Sequence, residues 1–446
     1  MLIYMRRWFK TISPFRIITA SFITVILLGS LLLYLPVSTR EAGSCSYLDA
    51  LFTSVSAVCV TGLVTRNTAT FWTPFGKSVI LFLIQVGGLG VITVIIAASI
   101  FTGKKIGLRQ RDLMQNAINA PELGGIIRFT RFMLFFTFAA EAAGVFLLLP
   151  VFTKPYGFTG GMKKAVFHSI SAFCNAGFDL LGEQEAFSSL TGYHGNILLN
   201  VVIMLLIISG GLGFLSWQDI LKTRGRWNRM KFQTRIILLT SGALILLPAL
   251  FFFAADFREA QVKDRILYAL FQSVTTRTAG FNTADLTKMG EGSRLLMIVL
   301  MLIGGSPGST AGGLKTTTLA VILVSVFSSI RQEKSVHALD RSVSLQTVQT
   351  GFTLMLLYLA LFLAGSILIC TWEGFPILDC MFETASALGT VGLTLGITPS
   401  LGAASRILLI LYMYFGRVGG LTLAYAVLTD RRNSPGRFPE EKIMIG

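Results

Sequence analysis

The segment Ser56-Ala57-Val58-Cys59-Val60-Thr61-Gly62-Leu63 decides how this chain is interpreted, because related segments return three more times. Each version places small or hydroxyl-bearing residues before a glycine, and each follows a short run that opens with phenylalanine. The other versions are Ser171-Ala172-Phe173-Cys174-Asn175-Ala176-Gly177-Phe178, Val274-Thr275-Thr276-Arg277-Thr278-Ala279-Gly280-Phe281 and Ser386-Ala387-Leu388-Gly389-Thr390-Val391-Gly392-Leu393. Four such segments in one chain predict a structure built from four related parts.

The composition is that of a membrane protein. Apolar residues make up 53% of the 446 residues and charged residues only 13%, which is more apolar surface than a soluble domain buries. The net charge is +16, but the basic residues cluster between apolar segments, where membrane topology places them. The composition therefore predicts a lipid bilayer as partner and argues against nucleic acid. Five cysteines without ligand spacing predict neither a disulfide framework nor a metal site.

Apolar segments long enough to cross a bilayer alternate with shorter ones. A hydrocarbon core about 30 Å thick requires roughly 20 apolar residues per helix. The segments that meet this requirement are 17–37, 79–101, 130–151, 196–217, 235–254, 294–328, 347–371 and 403–428. Between the members of each pair lies a shorter segment ending in the glycine motif, at 47–57, 163–173, 263–275 and 377–387. These short segments are predicted to enter and leave the membrane on one side, which is tolerated where the backbone is enclosed or lines water.

The predicted fold is an all-α polytopic membrane protein with eight transmembrane helices and four re-entrant pore loops around a central pore. Each repeat consists of a span, a pore hairpin and a second span. Lysine and arginine are enriched in the loops opposite the hairpins, which predicts that both termini are cytoplasmic. The predicted repeats are 1–113, 114–228, 229–340 with a broken inner helix, and 341–446 with a cytoplasmic tail.

The glycine segments have the chemistry of a cation site. A monovalent cation that sheds water needs replacement oxygens, which rings of backbone carbonyls supply without a buried charge. Glycine and small residues permit the close approach of four chains. Small residues also let membrane helices pack closely, but the fourfold recurrence on one side favours the cation site. The candidate ion-binding residues are Val60, Thr61, Gly62, Asn175, Ala176, Gly177, Thr278, Ala279, Gly280, Thr390, Val391 and Gly392.

Two features occur only once. The apolar run 294–328 is too long for one crossing and is interrupted by Gly304, Gly305, Ser306, Pro307, Gly308, Ser309, Thr310, Ala311, Gly312 and Gly313. Because glycine costs about 1 kcal/mol and proline about 3 kcal/mol in a helix, the span is predicted to break here, beneath the cation site. A passive kink is the alternative. Arg417 lies in the last span and is predicted either to impede cation passage or to pair with a carboxylate such as Glu383.

Over residues 15 to 430 the chain resembles the potassium-translocating subunits of the Trk/Ktr/HKT superfamily, and is most similar to the Ktr type. The four repeats, each with one filter glycine, carry the resemblance: Gly62, Gly177, Gly280 and Gly392. The first repeat begins close to the N-terminus, which favours the Ktr type. The third segment departs from the others because it has Arg277 and one residue fewer between Phe271 and Gly280. The Arg277 side chain is predicted to turn away from the pore, toward a carboxylate that the sequence does not identify.

The resemblance implies potassium uptake through a carbonyl selectivity filter, with K⁺ bound at the filter carbonyls. Gly62 stands where sodium-preferring plant members have serine, which implies potassium selectivity. The resemblance further implies that 304–313 is a gate and that Arg417 protrudes into the pore. It also implies that the protein forms a homodimer on a cytoplasmic ring of subunits that bind ATP or ADP. A sodium requirement, with Na⁺ as coupling or activating ion, is left open.

The alternative function is a secondary cation transporter with discontinuous helices, which would predict inverted repeats. The chain has no HExxH, GxSxG or GxxxxGK[ST] motif, so neither an enzyme nor a cofactor held by this chain is predicted.

Overall fold

A computed structural model describes residues 13–41, 43–103, 106–118, 125–183, 186–333, 335–339, 341–420 and 422. The basic N-terminus, the tail and the predicted end of the last span at 428 lie outside these residues. Two short strands pair antiparallel, with His337 opposite Ser342 and Ala338 opposite Arg341. The elements are α1 (Pro14–Tyr34), α2 (Tyr47–Val58), α3 (Thr68–Phe71), α4 (Pro74–Leu89), α5 (Val91–Phe101), α6 (Leu108–Ile118), α7 (Ile126–Phe173), α8 (Ile197–Gly211), α9 (Phe214–Thr223), α10 (Phe232–Ala255), α11 (Val262–Thr275), α12 (Glu291–Leu302), α13 (Thr316–Ile330), β1 (His337–Ala338), β2 (Arg341–Ser342), α14 (Leu345–Glu373), α15 (Ile377–Gly389) and α16 (Ala403–Val418).

In the described part of the chain, four helices are long and apolar enough to cross a membrane, namely α1, α7, α10 and α14. Each is the first helix of a predicted repeat. Two bent pairs, α4 with α5 and α8 with α9, raise the number to six if each pair is one span. These helices agree with a helical membrane protein.

The second helix of each predicted repeat is interrupted rather than straight. The predicted spans 79–101 and 196–217 bend by 94° and 97°, at Gly90 and Gly213. Their φ angles of +85° and +86° lie in the region that favours glycine, which explains why the bends fall there. Residues 303–315 separate α12 from α13, and α16 ends at Gly419, whose φ is +92°.

The hairpin helices lie at the centre of the molecule. They are α2, the C-terminal part of α7, α11 and α15. The first, third and fourth each pack against the long helix of their own repeat. In the second repeat the Ser169 hydroxyl donates to the Glu141 carbonyl at 2.7 Å, which joins the two parts of α7. The phenylalanine that opens each motif is buried in every case, namely Phe52, Phe167, Phe271 and Phe382. The central position of these short helices follows from their small and apolar residues.

One predicted boundary differs from the structure. The third span and the second hairpin helix, predicted at 130–151 and 163–173, run together in α7. A break still separates them at Gly157, where φ is 68° and ψ is 176°. Pro155 lacks the amide that would continue the helix, so the chain turns here without a loop.

Acidic residues at the ends of two long helices fix the start of the following inner helix. The Asp256 carboxylate accepts a hydrogen bond from the backbone N–H of Gly290 at 3.1 Å. The Glu373 carboxylate accepts one from the N–H of Gly402 at 2.9 Å. A carboxylate at a helix N-terminus satisfies free amides and complements the helix dipole, so these contacts position α12 and α16.

Hydrogen bonds between repeats link the segments that follow the glycine motifs. Asn67 donates to the Gly182 carbonyl at 2.6 Å, and the Leu190 N–H donates to the Asn282 carbonyl at 2.8 Å. Arg406 in α16 pairs with Asp49 in α2 at 3.0 Å, which joins the last repeat to the first. The circle of four parts is thus closed by a charged contact between distant ends of the chain.

Candidate functional site

The four motif glycines form a closed ring through backbone contact. A Cβ atom on Gly62 would lie 2.5 Å from the Ala176 carbonyl oxygen, and one on Gly177 would lie 2.7 Å from that of Ala279. A Cβ atom on Gly280 would lie 2.4 Å from the Val391 carbonyl oxygen, and one on Gly392 would lie 2.1 Å from that of Thr61. Each glycine therefore meets the carbonyl that precedes the next glycine, and the fourth returns to the first. We call 60–62, 175–177, 278–280 and 390–392 the ring segments.

Glycine is required at the ring for two independent reasons. The φ angles are +94° at Gly62, +67° at Gly177, +78° at Gly280 and +93° at Gly392. Other residues are strained at these angles because Cβ crowds the backbone. The neighbouring carbonyl also leaves no room for a side chain. The structure thus brings all four predicted glycines together around one axis.

Each ring segment begins with a residue that is also in the left-handed region, at Val60, Asn175, Thr278 and Thr390. The turn is held by the next amide. In three copies this amide donates to a carbonyl five residues back, as Thr61 N does to Ser56 O at 2.8 Å. In the third copy Ala279 N donates to Thr275 O, four residues back, at 3.0 Å. A tighter turn therefore absorbs the missing residue of the third segment.

A hydroxyl at the end of each hairpin helix separates the segments into two pairs. Ser56 and Ser386 accept hydrogen bonds from the ring amides Gly62 N and Gly392 N, both at 3.0 Å. The equivalent hydroxyls in the second and third repeats instead donate beyond the ring glycine, from Ser171 to Phe178 O and from Thr275 to Phe281 O. The ring is therefore fourfold in backbone but twofold in its hydroxyl contacts.

Arg277 turns away from the ring, as predicted. Its guanidinium donates to the Ser241 hydroxyl at 3.2 Å and to the Ser241 carbonyl at 3.4 Å, both in α10. No carboxylate among the described residues pairs with it. Ser241, a polar residue within the apolar helix α10, is thus the partner of Arg277 in place of the predicted carboxylate.

The segment 304–313, which we call the crossing segment, lies against the second and fourth ring segments. Thr310 donates from its hydroxyl to Phe173 O and to the Asn175 side chain, both at 3.2 Å. A Cβ on Gly312 would lie 2.2 Å from the Thr390 hydroxyl. The amides of Ser306 and Gly313 donate to the carbonyls of Gly211 and Gly416, at 2.9 and 3.1 Å. The crossing segment therefore contacts the second and fourth repeats while belonging to the third.

Arg417 anchors the crossing segment to the first repeat. Its guanidinium donates to the Thr310 carbonyl and to the Gly87 carbonyl, and lies 3.2 Å from that of Gly88. The predicted alternative, a salt bridge with Glu383, is wrong, because Glu383 is bonded to Thr394 and Thr398. Buried carbonyls here replace the expected counter-charge.

A cavity of about 320 Å³ lies beside these contacts and is lined by Arg417, Lys315, Gly90 and Gly419. Lys315 donates from Nζ to the Ala311 carbonyl at 2.8 Å, so a second cationic group holds the crossing segment. Neither this contact nor the hydrogen bond between Thr310 and Asn175 was predicted from the sequence. Thr310 and Asn175 are 135 positions apart and meet only in the fold. Lys315 and Ala311 are close in sequence, but their contact depends on the path of the non-helical crossing segment.

A helical membrane protein in which four backbone segments converge on one axis belongs, by class, to the membrane transport proteins. The model of the TrkH family, described as a cation transport protein, matches residues 6–434, and the chain belongs to this family.

Relatives cover the whole chain. It is 37% identical to the potassium/sodium uptake protein NtpJ of Enterococcus hirae, over 100% of both chains. It is 35% identical to the Ktr system potassium uptake protein B of Bacillus subtilis, over 99% of this chain and 98% of the relative. The crystal structure of the potassium transporter TrkH from Vibrio parahaemolyticus is similar in fold, with a TM-score of 0.70 and 19% identity over 92% of this chain and 85% of that one.

Proposed function

We propose that this protein takes up K⁺ across the cell membrane and that the ring segments are its selectivity filter. The observation that carries the proposal is the closed ring, in which each of the four glycines abuts a backbone carbonyl of the next segment. Backbone carbonyls at such a ring can replace the hydration shell of K⁺. The potassium uptake named for several relatives supports this ion.

The proposed architecture has eight transmembrane helices and four re-entrant loops in the repeats 1–113, 114–228, 229–340 and 341–446. The bent pairs and the interrupted α12 and α13 serve as inner spans, and the hairpins enter from outside. Both termini are cytoplasmic. The bends at Gly90 and Gly213 support this arrangement, because they keep each inner helix close to the ring while its end turns aside.

The crossing segment is the proposed gate, and Arg417 is the proposed barrier to ion passage. Both lie on the inner side of the ring, and the hydrogen bonds of Arg417 to Thr310 O and Gly87 O would hold the gate in place. Movement of the crossing segment requires these bonds to be exchanged for others, which water in an open pore supplies.

Control by another protein is part of the proposal. Three relatives are named as components of Ktr systems, which supports a partner protein. We propose that the chain forms a homodimer and that the partner is a cytoplasmic ring of subunits that bind ATP or ADP. Na⁺ is proposed as a coupling or activating ion, supported by the potassium/sodium uptake named for NtpJ. Secondary cation transport with discontinuous helices is the second candidate, supported by the interrupted inner helices.

The substitution Gly62→Ser tests the filter. A serine Cβ would lie 2.5 Å from Ala176 O at a φ of +94°, so the ring must widen at this point. We expect the preference for K⁺ over Na⁺ to fall by about tenfold, which corresponds to about 1.4 kcal/mol. The measurement is uptake of K⁺ against increasing Na⁺ in liposomes containing the purified protein.

Gly43→Ser is the matched control, because Gly43 has a φ of +79° but nothing within 4 Å of its Cβ position. Its ion preference should equal that of the wild type. An unchanged preference in Gly62→Ser, with protein present in the liposomes, would contradict the filter assignment.

A further inference from the structure

Each ring segment continues outward into a short stretch that its own hairpin helix holds through a buried polar side chain. In three repeats this side chain belongs to the residue that follows the motif phenylalanine. His168 accepts from Leu180 N at 3.4 Å, Gln272 donates to Asn282 at 3.2 Å, and Glu383 accepts from Thr394 at 2.8 Å. In the first repeat Thr53 follows the phenylalanine, and Asp49, about one helical turn earlier, accepts from Thr65 at 2.9 Å. The position behind the ring is therefore polar in every repeat although its surroundings are apolar.

In the fourth repeat a fully buried carboxyl group contacts two hydroxyls. Glu383 is 0% exposed, and both of its carboxylate oxygens are used, one by the Thr394 hydroxyl and the other by the Thr398 hydroxyl. The two threonine oxygens are 3.0 Å apart, and Thr394 also accepts from Gly396 N at 3.0 Å. Three side chains and one amide thus fix the chain just beyond Gly392.

Glu383 and the two threonine hydroxyls form a closed hydrogen-bonded group. Each hydroxyl can donate and accept, so the group stays satisfied in either protonation state of the carboxyl. No described lysine, arginine or histidine forms a salt bridge with Glu383. The threonine contacts alone therefore satisfy this buried side chain and fix its orientation.

We propose that Glu383 is a positioning residue that determines ion selectivity, because it holds the fourth ring segment from behind through Thr394 and Thr398. Thr394 lies two residues after Gly392, so displacement of this contact displaces the carbonyls of the fourth segment. The inference rests on the proposed function of the ring. It assigns the geometry of the fourth segment to a carboxylate that does not itself line the ring.

The test uses two independent changes to the same contact. Glu383→Gln retains the shape but offers one acceptor oxygen instead of two, and Thr398→Val removes one donor at nearly constant volume. We expect each to lower the preference for K⁺ over Na⁺ by about tenfold, equivalent to about 1.4 kcal/mol. The readout is competition between K⁺ and Na⁺ for uptake in liposomes. Thr398→Ser keeps the hydroxyl and should retain the wild-type preference.

Glu373→Gln is the control for a purely structural role, because Glu373 also accepts from a hydroxyl, that of Ser405, but at the start of α16, where it accepts from Gly402 N as well. It should leave the preference unchanged. An equal loss of preference in Glu373→Gln would overturn the proposal, and so would unchanged preference in both Glu383→Gln and Thr398→Val. If Glu383→Gln does not reach the membrane, the ion preferences of Thr398→Val and Thr398→Ser test the role of the contact. Gly62→Ser is measured in parallel: if it lowers the preference while the Glu383 and Thr398 variants do not, the ring is the filter and Glu383 does not position it.

Discussion

The ring segments and the crossing segment lie in contact, yet they are held in opposite ways. Each ring segment meets its neighbours through backbone atoms, and the same contact recurs from Gly62 round to Gly392. The crossing segment occurs once. It donates hydrogen bonds to Asn175, Gly211 and Gly416 and accepts one from Arg417. Because the ring is closed by steric contact, one ring segment cannot move without disturbing the next. The crossing segment can move without disturbing the ring, because exchangeable hydrogen bonds hold it.

Closure of the ring should make it the most sensitive part of the molecule. In Gly392→Ala the new Cβ would lie 2.1 Å from Thr61 O at a φ of +93°. A left-handed alanine alone costs about 1 kcal/mol, and the backbone collision adds to this. We expect K⁺ uptake to fall at least about tenfold, measured in cells that depend on this protein for K⁺.

Gly396→Ala separates the two causes, because Gly396 has a φ of +98° with nothing within 4 Å of its Cβ position. It should retain most of the uptake. Equal losses in the two variants, at equal amounts of membrane protein, would show that strain in φ matters and that ring closure does not.

Loosening the crossing segment should have a smaller effect and the opposite sign. Arg417→Gln removes the donors to Thr310 O and Gly87 O and also a fixed positive charge. We expect the maximal rate of K⁺ uptake to rise about three- to tenfold, or about 0.7 to 1.4 kcal/mol in barrier height. Initial rates in liposomes provide the measurement.

Tyr414→Phe is the comparison variant on the same helix, since the Tyr414 hydroxyl donates to Thr19 O, away from the crossing segment. Its rate should match the wild type. A lower rate in Arg417→Gln would mean that the arginine supports the pathway rather than obstructing it.

The third ring segment should show the smallest effect. Ser241→Ala removes one of the two acceptors of the Arg277 guanidinium and leaves the backbone carbonyl in place. Loss of one such hydrogen bond should lower the free energy of unfolding by about 1 kcal/mol, seen as a lower midpoint of thermal unfolding in detergent. Ser78→Ala, in which only a bond to the Pro74 carbonyl of the same helix is lost, should leave the midpoint unchanged. Equal thermal midpoints for both variants would show that the hydrogen bond between Ser241 and Arg277 does not stabilise the third ring segment.

Glycine and proline made several structural features predictable from sequence. The motif glycines and the interruption after α12 fall where those residues predict them, because their backbone preferences are local. The merging of the third span with the second hairpin helix was not predictable. The break at Gly157 needs one residue in an unusual conformation, and the helical signal on both sides is strong.

The partners of the buried charged residues were the least predictable part of the site. The sequence did not identify a partner for Arg277, which hydrogen-bonds Ser241. It suggested Glu383 as a partner for Arg417, but Glu383 hydrogen-bonds Thr394 and Thr398. A sequence shows that a buried charge needs compensation but not that carbonyls or hydroxyls will supply it. Those groups are present in every helix, so only their placement distinguishes them.

By itself the sequence determined the membrane environment, the four short helices with their buried phenylalanines and the four glycines, because composition and backbone preference act within a few residues. Only the tertiary structure decided that the glycines close into one ring, that Ser241 accepts Arg277, and that Arg417 joins the crossing segment to the first repeat. These contacts unite residues up to about 330 positions apart. Their energies depend on distances of a few ångströms that the whole fold sets together.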